Sequence, residues 1–180
     1  MRLTLASQSP RRVKILADLG VEFDVVKTDA PEVSLPHDPE GTVVANARAK
    51  LLACGRAPAL AADTIVWFAG KIYGKPRDLA EAKAFLRELS GQTHTVFTGV
   101  AYASAPSPSP VRTACTRSHV TFRELSDADI DEYVARVRPT DRAGAYDIDE
   151  NGDLIVASYT GSYENIMGLP IEPLREFGII

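Results

Sequence analysis

Between Ala59 and Phe68 the chain reads Ala-Leu-Ala-Ala-Asp-Thr-Ile-Val-Trp-Phe, ten residues that are strongly apolar except for Asp63 and Thr64. The run is too short and too rich in β-branched and aromatic residues for a helix, and it predicts a central strand of a buried sheet. A carboxylate inside such a strand is costly unless a cation, a metal or strong donors compensate it. Lys50, Lys75 and the Arg11/Arg12 pair are the available counter-charges. Asp63 is therefore a candidate catalytic group, with a buried structural aspartate as the alternative reading.

A second stretch, Leu5-Ala6-Ser7-Gln8-Ser9-Pro10-Arg11-Arg12-Val13-Lys14-Ile15-Leu16, reads as a strand end, a tight polar turn and the start of a helix. Ser9 suits an N-cap, and Pro10 suits the first helical position, where a missing N–H costs nothing. Val13, Leu16 and Leu19 follow at helical spacing, and Gly20 suits a left-handed end. The turn offers two hydroxyls, free backbone N–H groups and the positive end of a helix dipole. Arg11, Arg12 and Lys14 crowd the same place, although a dipole disfavours cations there. A polyphosphate would compensate them. A helix with a solvated basic first turn is the plainer alternative.

At 180 residues the chain suits one domain with a sizeable core. A formal net charge of −4 argues against a general binder of nucleic acid polymers, so the basic cluster is local and suits a small anion. Cys54 and Cys115 fit no metal or redox spacing and read as small apolar groups. Met1-Arg2 leads straight into a strand-like run, with no signal peptide visible, and no apolar run reaches the roughly 18 residues of a membrane span. The expected compartment is the cytoplasm, with no membrane partner.

The remaining pattern mixes strands and helices without strict alternation. Leu3 to Ala6, Val21 to Val26, Lys71 to Tyr73, Thr93 to Ala103, Val111 to Phe122 and Leu154 to Tyr159 read as further strands. Helices are expected over about Thr42 to Cys54, from Asp78 to Gly91 with a capping-box-like Asp78/Glu81 pair, from Ser126 to Pro139, and over Pro170 to Phe177. Asn46 and Lys50 form a polar stripe of their own on the first of these. Thr28 to Gly41, the Pro106–Pro110 hairpin, Asp141 to Asp153 and Gly161 to Gly168 read as loops. The mixture implies a mixed sheet in an α/β or α+β domain.

Other groups add less. Glu32 stands in a proline-rich loop, where an acid by itself reads as solvated. Lys75 in Gly74-Lys75-Pro76 fails the P-loop spacing, since Gly70 lies only four residues before Gly74 and Pro76 holds the Ser/Thr place. His37, His94 and His119 make no ligand pattern, and His94 reads as structural. No serine stands in a nucleophile-elbow context. Together the polar candidates suggest a cationic cradle with two or more carboxylates able to hold a divalent metal. Such a site hydrolyses phosphoanhydrides by activating water, without a covalent intermediate.

Six blocks then carry a resemblance. LASQSPRR (5–12), ARAK (47–50), AADTIVW (61–67), the stretch GKPRDLAEAKAFLRELSGQTHTVFTGV (74–100), DRAGAY (141–146) and GSYENIMGLP (161–170) stand in family order. The chain thereby resembles the Maf family of nucleoside triphosphate pyrophosphatases, once described as septum-formation inhibitors. The resemblance implies one α/β domain over residues 1–180, with a twisted mixed sheet flanked by helices and related to the inosine-triphosphate pyrophosphatase fold. It implies hydrolysis of a nucleoside triphosphate to a monophosphate and pyrophosphate with Mg, Mn or Co, and it allows a homodimer. Ser7, Arg11, Arg12, Glu32, Lys50, Asp63 and Lys75 match the family's active-site positions, Asp63 in the place of the proton acceptor and, with Glu32, of the metal-holding acids. Arg11 and Thr64 resemble the branch acting on dTTP and UTP, in which the position of Asp149 is glutamine. Asp149 is thus expected to touch substrate and to broaden or shift base preference. A nucleotide-binding regulator of septum formation, without obligatory turnover, is the alternative function.

Overall fold

In the computed structural model, which describes residues 2–107 and 109–180, seven strands form a single sheet. Met1 and Pro108, the latter in the expected proline-rich hairpin, lie outside the described residues. The strands are β1 (Leu3–Leu5), β2 (Phe23–Val25), β3 (Ala59–Phe68), β4 (Lys71–Tyr73), β5 (Thr93–Ala103), β6 (Arg112–Phe122) and β7 (Val156–Thr160). Their order is β2-β1-β3-β5-β6-β7, with β4 hairpinned onto β3. β1 is parallel to both β2 and β3, whereas β3, β5, β6 and β7 are successively antiparallel. The expected mixed sheet, with Ala59–Phe68 at its centre, is what forms. No helix of the described residues is long and apolar enough to cross a membrane.

The helices are α1 (Pro10–Asp18), α2 (Pro39–Cys54), α3 (Leu79–Leu89), α4 (Asp127–Val137), α5 (Tyr163–Met167) and α6 (Ile171–Glu176). α2 begins three residues earlier than its apolar pattern suggests. Asp38 caps it by accepting from the Gly41 amide, and Pro39 sits harmlessly at its start. The stretch expected as a polar loop, 161–168, contains α5; Ser162 caps it through the Asn165 amide. Five residues are too few to show a helical period. Similarly, 152–154 form a 3₁₀ turn, so β7 starts at Val156 and not at Leu154. The Asp78/Glu81 pair is one-sided: Asp78 caps the Glu81 amide, but the Glu81 carboxylate takes the Arg77 amide instead.

Strand alternation sends odd and even residues of β3 to opposite faces. Ala59, Ala61, Ile65 and Trp67 pack under α2 with Ala47, Leu51, Val43 and Phe97. Leu60, Ala62 and Val66 join the cores on the other face, one with α1 and α6 and one with α3 and α4. The alanines let α2 lie close to the sheet, and Gly99 closes the approach. Gly99 is paired with Asp63 across the β3–β5 ladder, and a Cβ there would fall inside the Val43 carbonyl and 2.7 Å from the Val44 nitrogen. We expect Gly99→Ala to push α2 off the sheet and destabilise the protein by about 1–3 kcal/mol, as overpacking does. Urea unfolding of the variant against the parent measures it.

Candidate active site

β1 pairs with β3 as far as Leu5 opposite Leu60, and β4 pairs from Tyr73 opposite Val66. Among the described residues, 61–65 therefore have ladder partners only on the β5 side. A cleft of about 680 Å³ opens at this gap. The turn leaving β1 brings Ser7 to Arg12 to one side, the turn leaving β4 brings Gly74 and Lys75, and the centre of β3 supplies Asp63 and Thr64. Three blocks far apart in sequence meet because the sheet leaves one edge of its middle strand uncovered.

On the α2 face, Asp63 is 7 % exposed. Its Oδ1 lies 2.7 Å from Lys50 Nζ, and its Oδ2 accepts from Asn46 Nδ2 at 3.0 Å. Lys50 also reaches Glu32 Oε1 at 2.8 Å, so one ammonium joins both predicted acids. Asn46 further grips Val33, donating to its carbonyl and accepting from its amide, and thereby pins the residue beside Glu32. Thr42 and Trp67 fasten the same loop at Leu35 and Pro36. Lys50 and Asn46 are four apart, so a single helical stripe serves both the carboxylate and the loop. That stripe was visible in the sequence, with Lys50 among the expected counter-charges of Asp63; the bonds of Asn46 to Asp63 and Val33 were not.

The other face carries the basic cluster. Arg12 donates through Nε to the Gly168 carbonyl at 2.7 Å, through one terminal nitrogen to Ser7 Oγ at 3.1 Å and through the other to Thr64 Oγ1 at 3.0 Å. All three acceptors are neutral. Burial lowers the Arg12 pKa to about 10, with Asp63 opposing the shift and Arg11 adding to it, so the group stays cationic near neutrality. Gly168 permits the approach, because a Cβ there would lie 3.2 Å from the Thr64 hydroxyl. Behind Thr64, a polar row crosses the sheet. Thr64 and Thr98 share a 3.0 Å hydrogen bond, Thr98 donates to the Asn165 carbonyl, and the Asn165 amide donates to Val96 and Ser118.

Ser9 does occupy the α1 N-cap, yet its hydroxyl caps nothing; its own amide donates to Ser7 Oγ. Of the four helices with nine or more residues among the described residues, α1 alone has neither a side-chain cap nor an acid in its first turn. Its first-turn N–H groups thus remain available to an anion.

Arg11 lies 3.6 Å from Asp147 Oδ2, which also accepts from Arg142 Nε at 3.2 Å. Burial lowers the Arg11 pKa, and the field of Asp147 opposes this. Arg142 and Asp147 line the cleft but were not singled out in the sequence, where they sit among many acids of an apparently irregular loop. Lys75 is exposed on the cleft wall and has no ion pair among the described residues. Asp149 is exposed, accepts from the Tyr163 hydroxyl at 3.2 Å and is outside the residues that line the cleft. Burial and this carboxylate raise the Tyr163 pKa to about 12. His94 is structural as expected. It is buried against Tyr146 and Phe122, and burial lowers its pKa to about 3, leaving it neutral.

Thr64 is the joint between Arg12 and the polar row. We expect Thr64→Val to cost about 1–3 kcal/mol, because it leaves a guanidinium donor without its acceptor, and Thr64→Ser to recover most of that. Thermal and urea unfolding of the two variants provide the comparison.

The Maf-like protein family model matches residues 2–177. A dTTP/UTP pyrophosphatase of Moorella thermoacetica is 42% identical over 97% of this chain and 92% of its own length. The protein of the same name from Anaeromyxobacter dehalogenans (strain 2CP-C) is 44% identical over 94% of this chain and 89% of its own. The Ham1 protein of Staphylococcus aureus, at 13% identity, superposes over 98% of this chain and 97% of its own with a TM-score of 0.55, which makes the two folds alike. With that match over nearly its whole length, and with all six blocks of the resemblance in order, the chain belongs to the Maf-like protein family.

Proposed function

We propose that this protein, acting as one domain, hydrolyses nucleoside triphosphates to the monophosphate and pyrophosphate, with dTTP and UTP as its preferred substrates. The observation that carries the reading is the position of Asp63. It is buried, held at both oxygens and set in the same cleft as two cations, Arg12 and Lys75, that have no carboxylate partner among the described residues. The relatives named for dTTP and UTP support the choice of substrate.

In this mechanism Arg12, Lys75 and the open N-terminus of α1 hold the triphosphate and neutralise charge that grows on its oxygens. A water oxygen attacks the α-phosphorus, the bond to the bridging oxygen breaks, and pyrophosphate leaves with the electron pair. Asp63 takes the proton from the attacking water; each of its oxygens has one donor and keeps a lone pair for the task. Lys50 holds Asp63 in place and ties it to Glu32. Among the described residues no cluster of three or more acids, histidines or cysteines could enclose a metal. Two hard oxygen donors, Glu32 and Asp63, do suit a cation such as Mg, Mn or Co that brings most of its ligands from phosphate and water. When bound, that ion would lower the pKa of water and screen the phosphates. In this reading the reaction takes place in the cytoplasm, where nucleoside triphosphates are made and used.

Asp63→Asn should reduce pyrophosphate release by roughly 10²–10⁴-fold, with the fold kept because Lys50 retains Glu32 as its partner. Release by the folded variant at near the parent rate would make Asp63 structural. Chelation of divalent metal with EDTA should abolish turnover, and added Mg, Mn or Co should restore it, while the thermal midpoint stays high enough to show a folded protein.

A further inference from the structure

The five cations that line the cleft are not equally free. Lys50 is shared by Glu32 and Asp63. Arg142 meets three carboxylates, those of Asp141, Asp147 and Glu150. Arg12 has only neutral acceptors, and Lys75 has no ion pair among the described residues. Arg11 is intermediate: its one carboxylate is Asp147, at 3.6 Å.

Asp147 is itself fixed without Arg11. It is 6 % exposed, its backbone exchanges hydrogen bonds with the Tyr133 hydroxyl of α4, and its Oδ1 accepts from the Asp149 amide at 2.9 Å. The carboxylate is therefore a rigid anion built into the wall, and the Arg11 guanidinium lies 3.6 Å from it. A guanidinium partly offset in this way keeps its N–H donors but contributes less to holding a polyphosphate than a cation with no carboxylate beside it, because the attraction is chiefly to uncompensated charge.

We propose that Asp147 is a positioning residue that withholds Arg11 from the phosphates, so that Arg12 and Lys75 place the triphosphate and Arg11 is left to the uncharged part of the nucleotide. This rests on the reading of the cleft as a triphosphate site. It gives the cleft a direction: without Asp147, Arg11 would be a third phosphate anchor, and the substrate could bind displaced toward it.

The test is isothermal calorimetry with inorganic pyrophosphate and Mg²⁺ on the parent, Asp147→Asn, Arg11→Ala, Lys75→Ala and the Arg11→Ala/Asp147→Asn double variant, each checked for folding by thermal melting. Asp147→Asn should bind pyrophosphate about tenfold more tightly, a change of about 1.4 kcal/mol, and the gain should vanish in the double variant. A merely structural carboxylate would lose affinity, not gain it. Should Asp147→Asn not fold, the single cations still decide. The inference requires Lys75→Ala to lose about tenfold and Arg11→Ala less than about twofold in pyrophosphate affinity. Weaker or unchanged binding by a folded Asp147→Asn, or an Arg11→Ala loss equal to that of Lys75→Ala, overturns it while the phosphate site stands. A parent that binds no pyrophosphate removes the triphosphate reading and this inference together.

Discussion

A single carboxylate buried in the middle strand sets the terms for the rest of the molecule. Asp63 can occupy that place only if a cation and a donor reach it from a neighbouring element, because an unpaired charge there would cost far more than the fold can spare. α2 provides both, and it can do so only by lying almost on the backbone of β5. The small side chains beneath it and the bare Cα of Gly99 are thus consequences of Asp63 as much as of packing. The loop carrying Glu32 follows in turn, since the same Asn46 that donates to Asp63 also clamps Val33.

The opposite face solves a different problem. Two apolar cores lie there side by side, and the row formed by Thr64, Thr98, Asn165 and Ser118 runs between them. Buried polar groups of this kind are tolerable when they satisfy one another. Here they do so except at Asn165 Oδ1, which has no partner among the described residues, and the outer end of the row receives Arg12 and fixes its guanidinium without cancelling its charge. Arginine held by neutral oxygens on the protein side stays attractive to an anion on the solvent side.

Much of this could be read from the sequence, for reasons that differ by element. The central strand, the long hairpin and α4 announce themselves because their apolar residues repeat with a clear period, and Ile130, Tyr133, Val134 and Val137 of α4 are all buried. Ser7, Arg11, Arg12, Glu32, Lys50, Asp63, Thr64 and Lys75 are brought to one cleft. Hidden from the sequence were features that depend on meeting across the fold. α5 is too short to show a period, and the start of α2 carries no apolar residue to mark it. Asp147 and Asp149 are equivalent by composition, two acids two residues apart in an acidic loop. Only the turn that buries one and exposes the other separates them. Arg142 stayed unremarked for the same reason.

Adjacent positions 63 and 64 serve opposite faces of one strand, the first meeting α2 and the second meeting Arg12. The acid and the anion anchor are thus divided by strand parity, a discrete property that no gradual movement can alter. Lengthening the chain by one residue just before Asp63 would exchange the two sides wholesale, turning a carboxylate toward the arginine and a hydroxyl toward the lysine. Two added residues would preserve the sides and only shift them along the sheet. Chemistry in this fold is consequently quantised in steps of two: the strand that forms the floor of the cleft can change length only in pairs.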